Sequence, residues 1–142
     1  MDSRRSFHYE ILTPQGRIAD GTAVGAVLPA EDGLIGILAH RAPLVAELRA
    51  GCVTVRLPEG RSEEYFVAGG FAHVHRRGLT VLAEQGDLLK SLNAQTAAAE
   101  LKDAHQMPTG TADERQRRRE AIAIAKTKLR LTHKQASSRR SV

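Results

Sequence analysis

The chain is short of several things, and each shortage removes a class of function. It has one cysteine, Cys52, so no internal disulfide can form and a disulfide-stapled scaffold is excluded. It has no tryptophan, two tyrosines and three phenylalanines. That is too few for the aromatic platforms on which single-strand nucleic-acid binders stack bases. No apolar run approaches the ~18 residues that a membrane-spanning helix needs. Met1-Asp2-Ser3-Arg4-Arg5-Ser6-Phe7 carries two arginines with no apolar core behind them, so it does not read as a signal peptide. Gly33-Leu34-Ile35-Gly36 lacks the Lys-Ser/Thr and the following helix of a phosphate-binding loop.

Catalytic constellations are missing too. His73 and His75 lie two apart on an alternating segment, which puts both side chains on one face. Two ligands do not make a metal site, and no Cys or carboxylate is paired with them in the sequence. His8, His105 and His133 stand alone, and His40 precedes the turn at Pro43. No Ser, Thr or Cys has the surroundings of a nucleophile. The expectation is a chain without catalytic residues, metal or cofactor. Cys52 opens an apolar alternating segment and reads as a small buried residue.

What is present falls into two halves. Residues 1–86 carry nine Lys+Arg against ten Asp+Glu, and residues 87–142 carry twelve against six. The net charge of +5 therefore comes from the second half, which suits an acidic partner. The first half reads as short strands: Phe7-His8-Tyr9-Glu10-Ile11-Leu12, Ala23 to Leu28, Cys52 to Leu57, Glu64 to Ala68, Phe71 to His75 and Leu79 to Leu82. Turns at Thr13-Pro14-Gln15-Gly16, Pro29, Pro58-Glu59-Gly60, Gly69-Gly70 and Arg76-Arg77-Gly78 separate them. Strands at this spacing favour a sandwich or barrel.

After Gly86 the sequence fills with helix formers. Ser91 or Asn93 caps a first helix that breaks at Met107-Pro108-Thr109-Gly110. Thr111 and Glu114 have the spacing of a capping box for a second helix, expected to reach about Lys134. Ile122, Ala125, Leu129 and Thr132 give it a narrow apolar stripe. A short loop between the two helices implies an antiparallel hairpin, and residues 136–142, small and basic, are expected to fray. The run Arg115-Gln116-Arg117-Arg118-Arg119 sits near a helix N-terminus, where the dipole disfavours cations, so it hints at a partner. The fold class is α+β, with domains at 1–86 and 87–142.

Four fragments, in order, carry a resemblance to the epsilon subunit of F-type ATP synthase. They are Glu10-Ile11-Leu12-Thr13-Pro14-Gln15-Gly16, Asp32-Gly33-Leu34-Ile35-Gly36-Ile37-Leu38-Ala39-His40-Arg41-Ala42-Pro43-Leu44, Tyr65-Phe66-Val67-Ala68-Gly69-Gly70-Phe71-Ala72 and Leu79-Thr80-Val81-Leu82-Ala83. The resemblance implies a sandwich of about ten strands docked on the gamma subunit and the c-ring, forming part of the rotating central stalk. It also implies a regulatory hairpin that can extend toward the alpha/beta catalytic head and inhibit hydrolysis.

On that basis the contact with ring or gamma falls to Glu31, Asp32, Leu34, His40 and Pro43, read as one loop. Leu34 replaces an acidic residue frequent in the family. Contacts to the beta subunits fall to Arg115, Arg117, Arg118, Arg119, Lys126, Lys128 and Arg130. Some family members bind ATP in the hairpin through an Asp and an Arg; here Asn93 and Thr96 stand at those positions, which implies no ATP site. The implied location is peripheral, without membrane insertion, on the cytoplasmic face of a bacterial inner or other energy-coupling membrane. The reading from another class is a small β-barrel nucleic-acid binder with a basic helical tail.

Overall fold

The computed structural model describes residues 5–140, with side chains as far as Gln135. The chain divides into two compact units between Leu88 and Leu89. The boundary lies two residues beyond Gly86 because strand pairing runs on, with Gly86, Asp87 and Leu88 opposite Val67, Phe66 and Tyr65.

The first unit holds eight strands: β1 (Phe7–Thr13), β2 (Gly16–Ala23), β3 (Gly25–Ala30), β4 (Gly33–Ile37), β5 (Leu44–Glu47), β6 (Gly51–Arg56), β7 (Ser62–His75) and β8 (Gly78–Leu88). The main path is β2-β1-β8-β7-β6-β3-β4, with β5 also on β7, and β1 runs parallel to β8. One edge of β7 carries β6 up to Val67 and β5 from Phe71. Likewise β1 covers only Gly78 to Leu82 of β8. Thus β7 and β8 each serve both layers of the sandwich, and eight continuous strands make two layers of five segments. This accounts for the expected count of about ten. Gly69-Gly70, read from sequence as a turn between two strands, is a bend inside one strand of 14 residues.

Two other breaks are absent. β3 continues through Pro29, which is tolerated because the β6 ladder already ends at Val27. The segment between Asp32 and Pro43 contains β4 and is not one loop. The core interdigitates Leu28, Val53, Val55 and Val67 with Ile11, Leu79, Val81 and Val74. Fully burying such a side chain contributes about 1.5–3 kcal/mol. Alternation turns Cys52 to the other face, so it is half-buried beside Glu64, with its Sγ 3.4 Å from Oε2 of that residue.

The second unit has a 3₁₀ turn (Leu89–Ser91), then α1 (Ala94–His105) and α2 (Ala112–Arg140). Asn93 is the cap of α1: its Oδ1 accepts from the amides of Gln95 and Thr96 at 2.8 and 3.1 Å. The capping box of α2 is reciprocal, with the Thr111 amide on Glu114 Oε1 and the Glu114 amide on Thr111 Oγ1, both 3.0 Å. The backbone of α2 runs to Arg140, past Lys134 and through most of the tail expected to fray. Ser141 and Val142 lie outside the described residues.

The two tyrosines mark the core. Tyr9 and Tyr65 are 3% and 2% exposed. The Tyr65 hydroxyl donates to Glu63 and meets that of Tyr9. Burial, then these bonds, push the Tyr65 ionisation far up; Tyr9 is raised by burial, partly offset by its hydrogen bond with Tyr65. A folded pKa above the unfolded value contributes stability that is complete below about pH 10 and lost as pH rises. In an alkaline titration, tyrosinate absorbance should therefore appear only in one cooperative step with unfolding; early, gradual ionisation would contradict the buried pair. Glycine chemistry gives a second test. At Gly78 (φ 146) a Cβ would lie 1.8 Å from the His8 carbonyl oxygen, whereas at Gly36 nothing lies within 4 Å. Gly78→Ala should cost about 3 kcal/mol in urea unfolding, and Gly36→Ala no more than ~0.5 kcal/mol.

Candidate functional site

The five residues assigned to ring or gamma contact fall in two places. Glu31 and Asp32 form the β3–β4 turn, with the Glu31 amide on the Glu47 carbonyl at 2.9 Å. Leu34 is next to them and is 69% exposed. His40 and Pro43 lie beyond the other end of β4, about 16 Å of strand away. The backbone there is tightly held: His40 has φ 66, Arg41 donates its amide to the Leu38 carbonyl, and its Nη1 reaches the Gly36 carbonyl at 2.9 Å. Neighbours in sequence are thus parted by a strand that the broken apolar pattern concealed.

A second feature had no signal as a continuous motif. Phe71 and Leu82 are directly opposite each other and both 51% exposed, and Val45, on β5, is 67% exposed. Leu12, paired with Leu82, extends the row onto β1. These side chains point away from the core, whose partners on the same strands are Ala72, Val74 and Val81. The result is an apolar row of Leu12, Leu82 and Phe71 across three strands; on β5 Glu47 faces Phe71, and Val45, opposite His73, lies one pair further along the same face. An apolar face of this kind marks an interaction surface.

The basic residues of α2 also separate. Lys128 is inside the hairpin: its Nζ lies 3.0 and 3.3 Å from the Glu100 carboxylate oxygens, with the side chain 13% exposed. It sits between Ala125 and Thr132, both buried, at helical spacing. Arg118 leans over α1, its Nε and Nη2 each 3.4 Å from the His105 carbonyl. Arg115 reaches Thr109 O and Arg119 reaches Gln116 Oε1. Arg117, Lys126 and Arg130 are exposed. Of the expected apolar stripe, Ala125 and Thr132 are buried and Ile122 and Leu129 half-buried, while Leu131 joins the buried set.

Asn93 and Thr96 are both engaged in capping α1, as described above. The His73 and His75 rings lie 5.0 Å apart. His75 Nδ1 accepts from the Arg77 amide at 3.3 Å and its Nε2 is 3.0 Å from Thr80 Oγ1. Among the described residues no three of His, Cys, Asp and Glu come together as metal ligands would, and no helix is long and apolar enough to cross a membrane.

Known proteins share this arrangement. Residues 6–86 match the family model described as "ATP synthase, Delta/Epsilon chain, beta-sandwich domain". The ATP synthase epsilon chain of Maricaulis maris is 34% identical over 119 residues, covering 84% of this chain and 89% of the relative. That of Sinorhizobium medicae is 31% identical over 124 residues, covering 87% and 92%. The chain belongs to the family of ATP synthase epsilon subunits. The fold is also that of a chain in the mitochondrial ATP synthase of Euglena gracilis, with TM-score 0.75 and 19% identity, covering 89% of this chain and 81% of that one. A chain from the central stalk and c-ring of the Tetrahymena thermophila enzyme gives 0.65 at 12% identity, covering 87% and 96%.

In this epsilon-family hairpin the Glu100–Lys128 ion pair joins the two helices. Glu100→Gln removes the Glu100 charge from an almost buried ammonium and should cost the hairpin about 1 kcal/mol. Lys128→Met removes the charge and keeps the packing, and should be neutral or slightly stabilising. Thermal melting of the helical circular-dichroism signal distinguishes the two. Equal losses would mean that packing, not charge, holds the pair.

Proposed function

We propose that this chain is a non-catalytic subunit of the central stalk, transmitting rotation between the c-ring and the catalytic head and restraining ATP hydrolysis through its hairpin. The sandwich is the anchor. Its exposed row of Val45, Phe71 and Leu82 suits a broad protein face, for which gamma is the partner, and His40 and Pro43 suit the polar loops of the ring. The hairpin is the brake, with Arg115, Arg117, Arg119, Lys126 and Arg130 directed to acidic segments of the beta subunits in its extended form. Arg118 and Lys128 join them only when the hairpin opens. The chain acts at the membrane surface, on the cytoplasmic side, without inserting. With the Asn93 side chain used to cap α1 and Thr96 standing in place of an arginine, ATP does not control the hairpin.

The observation that carries this reading is the division of labour between two units, an almost neutral sandwich and a strongly basic hairpin. A Glu100–Lys128 latch of about 1 kcal/mol suits a switch, since it biases two states without locking either. The test is ATP hydrolysis by the cognate catalytic head with gamma present. The full chain should inhibit, and a version ending at Leu88 should bind without inhibiting. Glu100→Gln should deepen inhibition about fivefold by favouring the open hairpin. Joint replacement of Arg115, Arg117 and Arg119 by Gln should weaken it. If full chain and truncation bind and neither inhibits, the brake is refuted and only the anchor stands.

A further inference from the structure

Ser6 and Phe7, the β4–β5 connection and the turn joining β7 to β8 enclose a cleft of about 490 Å³ at one end of the sandwich. Arg41, Arg76 and Arg77 line it together with His40 and His75, and among the described residues no carboxylate does. Its apolar lining comes from Phe7, Ile37 and Val74. This concentration of positive charge is not inherited from the unit, because residues 1–86 hold more acidic than basic side chains. Among the described residues neither Arg76 nor Arg77 has an ion pair or a side-chain hydrogen bond. Arg41 spends one N–H on the Gly36 carbonyl, which fixes the guanidinium and leaves its other donors available.

The turn that presents the two arginines is itself built. His75 accepts the Arg77 amide at Nδ1, which places the proton of the neutral ring on Nε2, facing Thr80 Oγ1. Gly78 then closes the turn at φ 146 against the His8 carbonyl, a conformation reserved for glycine. The backbone of Arg76 and Arg77 is therefore held in a defined turn, and both line the cleft together with Arg41 and the apolar Phe7, Ile37 and Val74.

We propose that this cleft binds the phosphate group of an organic phosphate, with the arginines taking the oxygens and the apolar lining taking the organic body. Arginine forks match phosphate geometry, and their bonds to it are charge-assisted. The volume lies within the range of small-molecule sites and exceeds what a bare phosphate fills. Two sources supply such a group: the headgroup of an anionic phospholipid, or a soluble phosphate ester. The cleft shares His40 and Pro43 with the surface proposed for the ring, but ligand binding needs no partner subunit.

The test uses the full chain alone. Amide resonances of Arg41 and of residues 76–78 are followed by NMR while inorganic phosphate or phenyl phosphate is added. Saturable shifts are expected, with phenyl phosphate the tighter probe. Arg76→Gln with Arg77→Gln should weaken binding about tenfold or more. Arg77→Lys, which keeps the charge and loses the fork, should weaken it less. Arg115→Gln with Arg117→Gln, an equal loss of charge from the hairpin, should leave it unchanged. Flotation with phosphatidylglycerol but not phosphatidylcholine vesicles, abolished by the cleft variant, identifies a lipid headgroup as the source. Phosphate binding without flotation identifies a soluble ester. Absence of shifts with both phosphates, or equal weakening by the two double variants, overturns the proposal. Because gamma and the catalytic head are absent, failure here leaves the brake assay unaffected, and the reverse holds.

Discussion

The sandwich depends on the register between β7 and β8. Ten paired positions run without a shift from Tyr65 opposite Leu88 to His75 opposite Gly78. Every other strand except β2, β3 and β4 is attached directly to this ladder; β2 and β3 hang from its neighbours β1 and β6, and β4 from β3. A slip of one residue would turn Val67, Ala72, Val74, Leu79 and Val81 out of the core and bring polar partners in. The register is pinned by backbone approaches that only glycine permits: a Cβ at Gly70 would lie 1.9 Å from the Leu82 carbonyl oxygen. The same bend lets one strand serve two layers, so the joint that specifies the register also makes the sandwich.

That joint explains what could and could not be read from the sequence. Local chemistry was legible wherever a few residues settle the outcome. Thr111 and Glu114 announce the start of α2, Asn93 is one of two evident caps for α1, and Arg76-Arg77-Gly78 turns the chain as its composition requires. The union of 64–68 with 71–75 was not legible, because a glycine pair has the same local appearance in a turn as in a bend between layers. β4 was hidden because both its neighbours in sequence are turns and two of its five residues are glycine. Glu31 and His40, nine positions apart, therefore looked like parts of one loop. The row of Leu12, Val45, Phe71 and Leu82 belongs to no local pattern; strand pairing alone assembles it.

Lys128 shows a different limit. A lysine in a basic helix reads as solvated, since burying an ammonium without a partner is costly. Here the partner lies 28 residues away on the other helix and contributes both carboxylate oxygens. Small residues on the facing surfaces, Ala97 and Ala104 on α1 and Ala125 on α2, keep the helix interface thin. Alanines bury little area each, and Leu131 adds a larger buried side chain, so the Glu100–Lys128 pair supplements an apolar interface of modest extent.

Net charge is a poor guide to either unit once distances are considered. At physiological ionic strength, interactions between exposed charges fade beyond about 8 Å. The carboxylates of Glu59, Glu63 and Glu64, which help to make the sandwich unit slightly acidic, are not among the lining of the cleft holding Arg41, Arg76 and Arg77; Glu63 and Glu64 stand at the start of β7, and the cleft takes Val74 and His75 from its other end. What a small ligand meets is the local set of donors, not the sum over residues 1–86. The hairpin makes the converse point. Its excess of positive charge is spread along 29 residues of α2, a span of about 44 Å. No single small anion can engage that distribution, whereas an extended acidic protein surface can. In the two proposals the same residue type is assigned two kinds of partner, and the spacing that the fold imposes is the ground for each assignment.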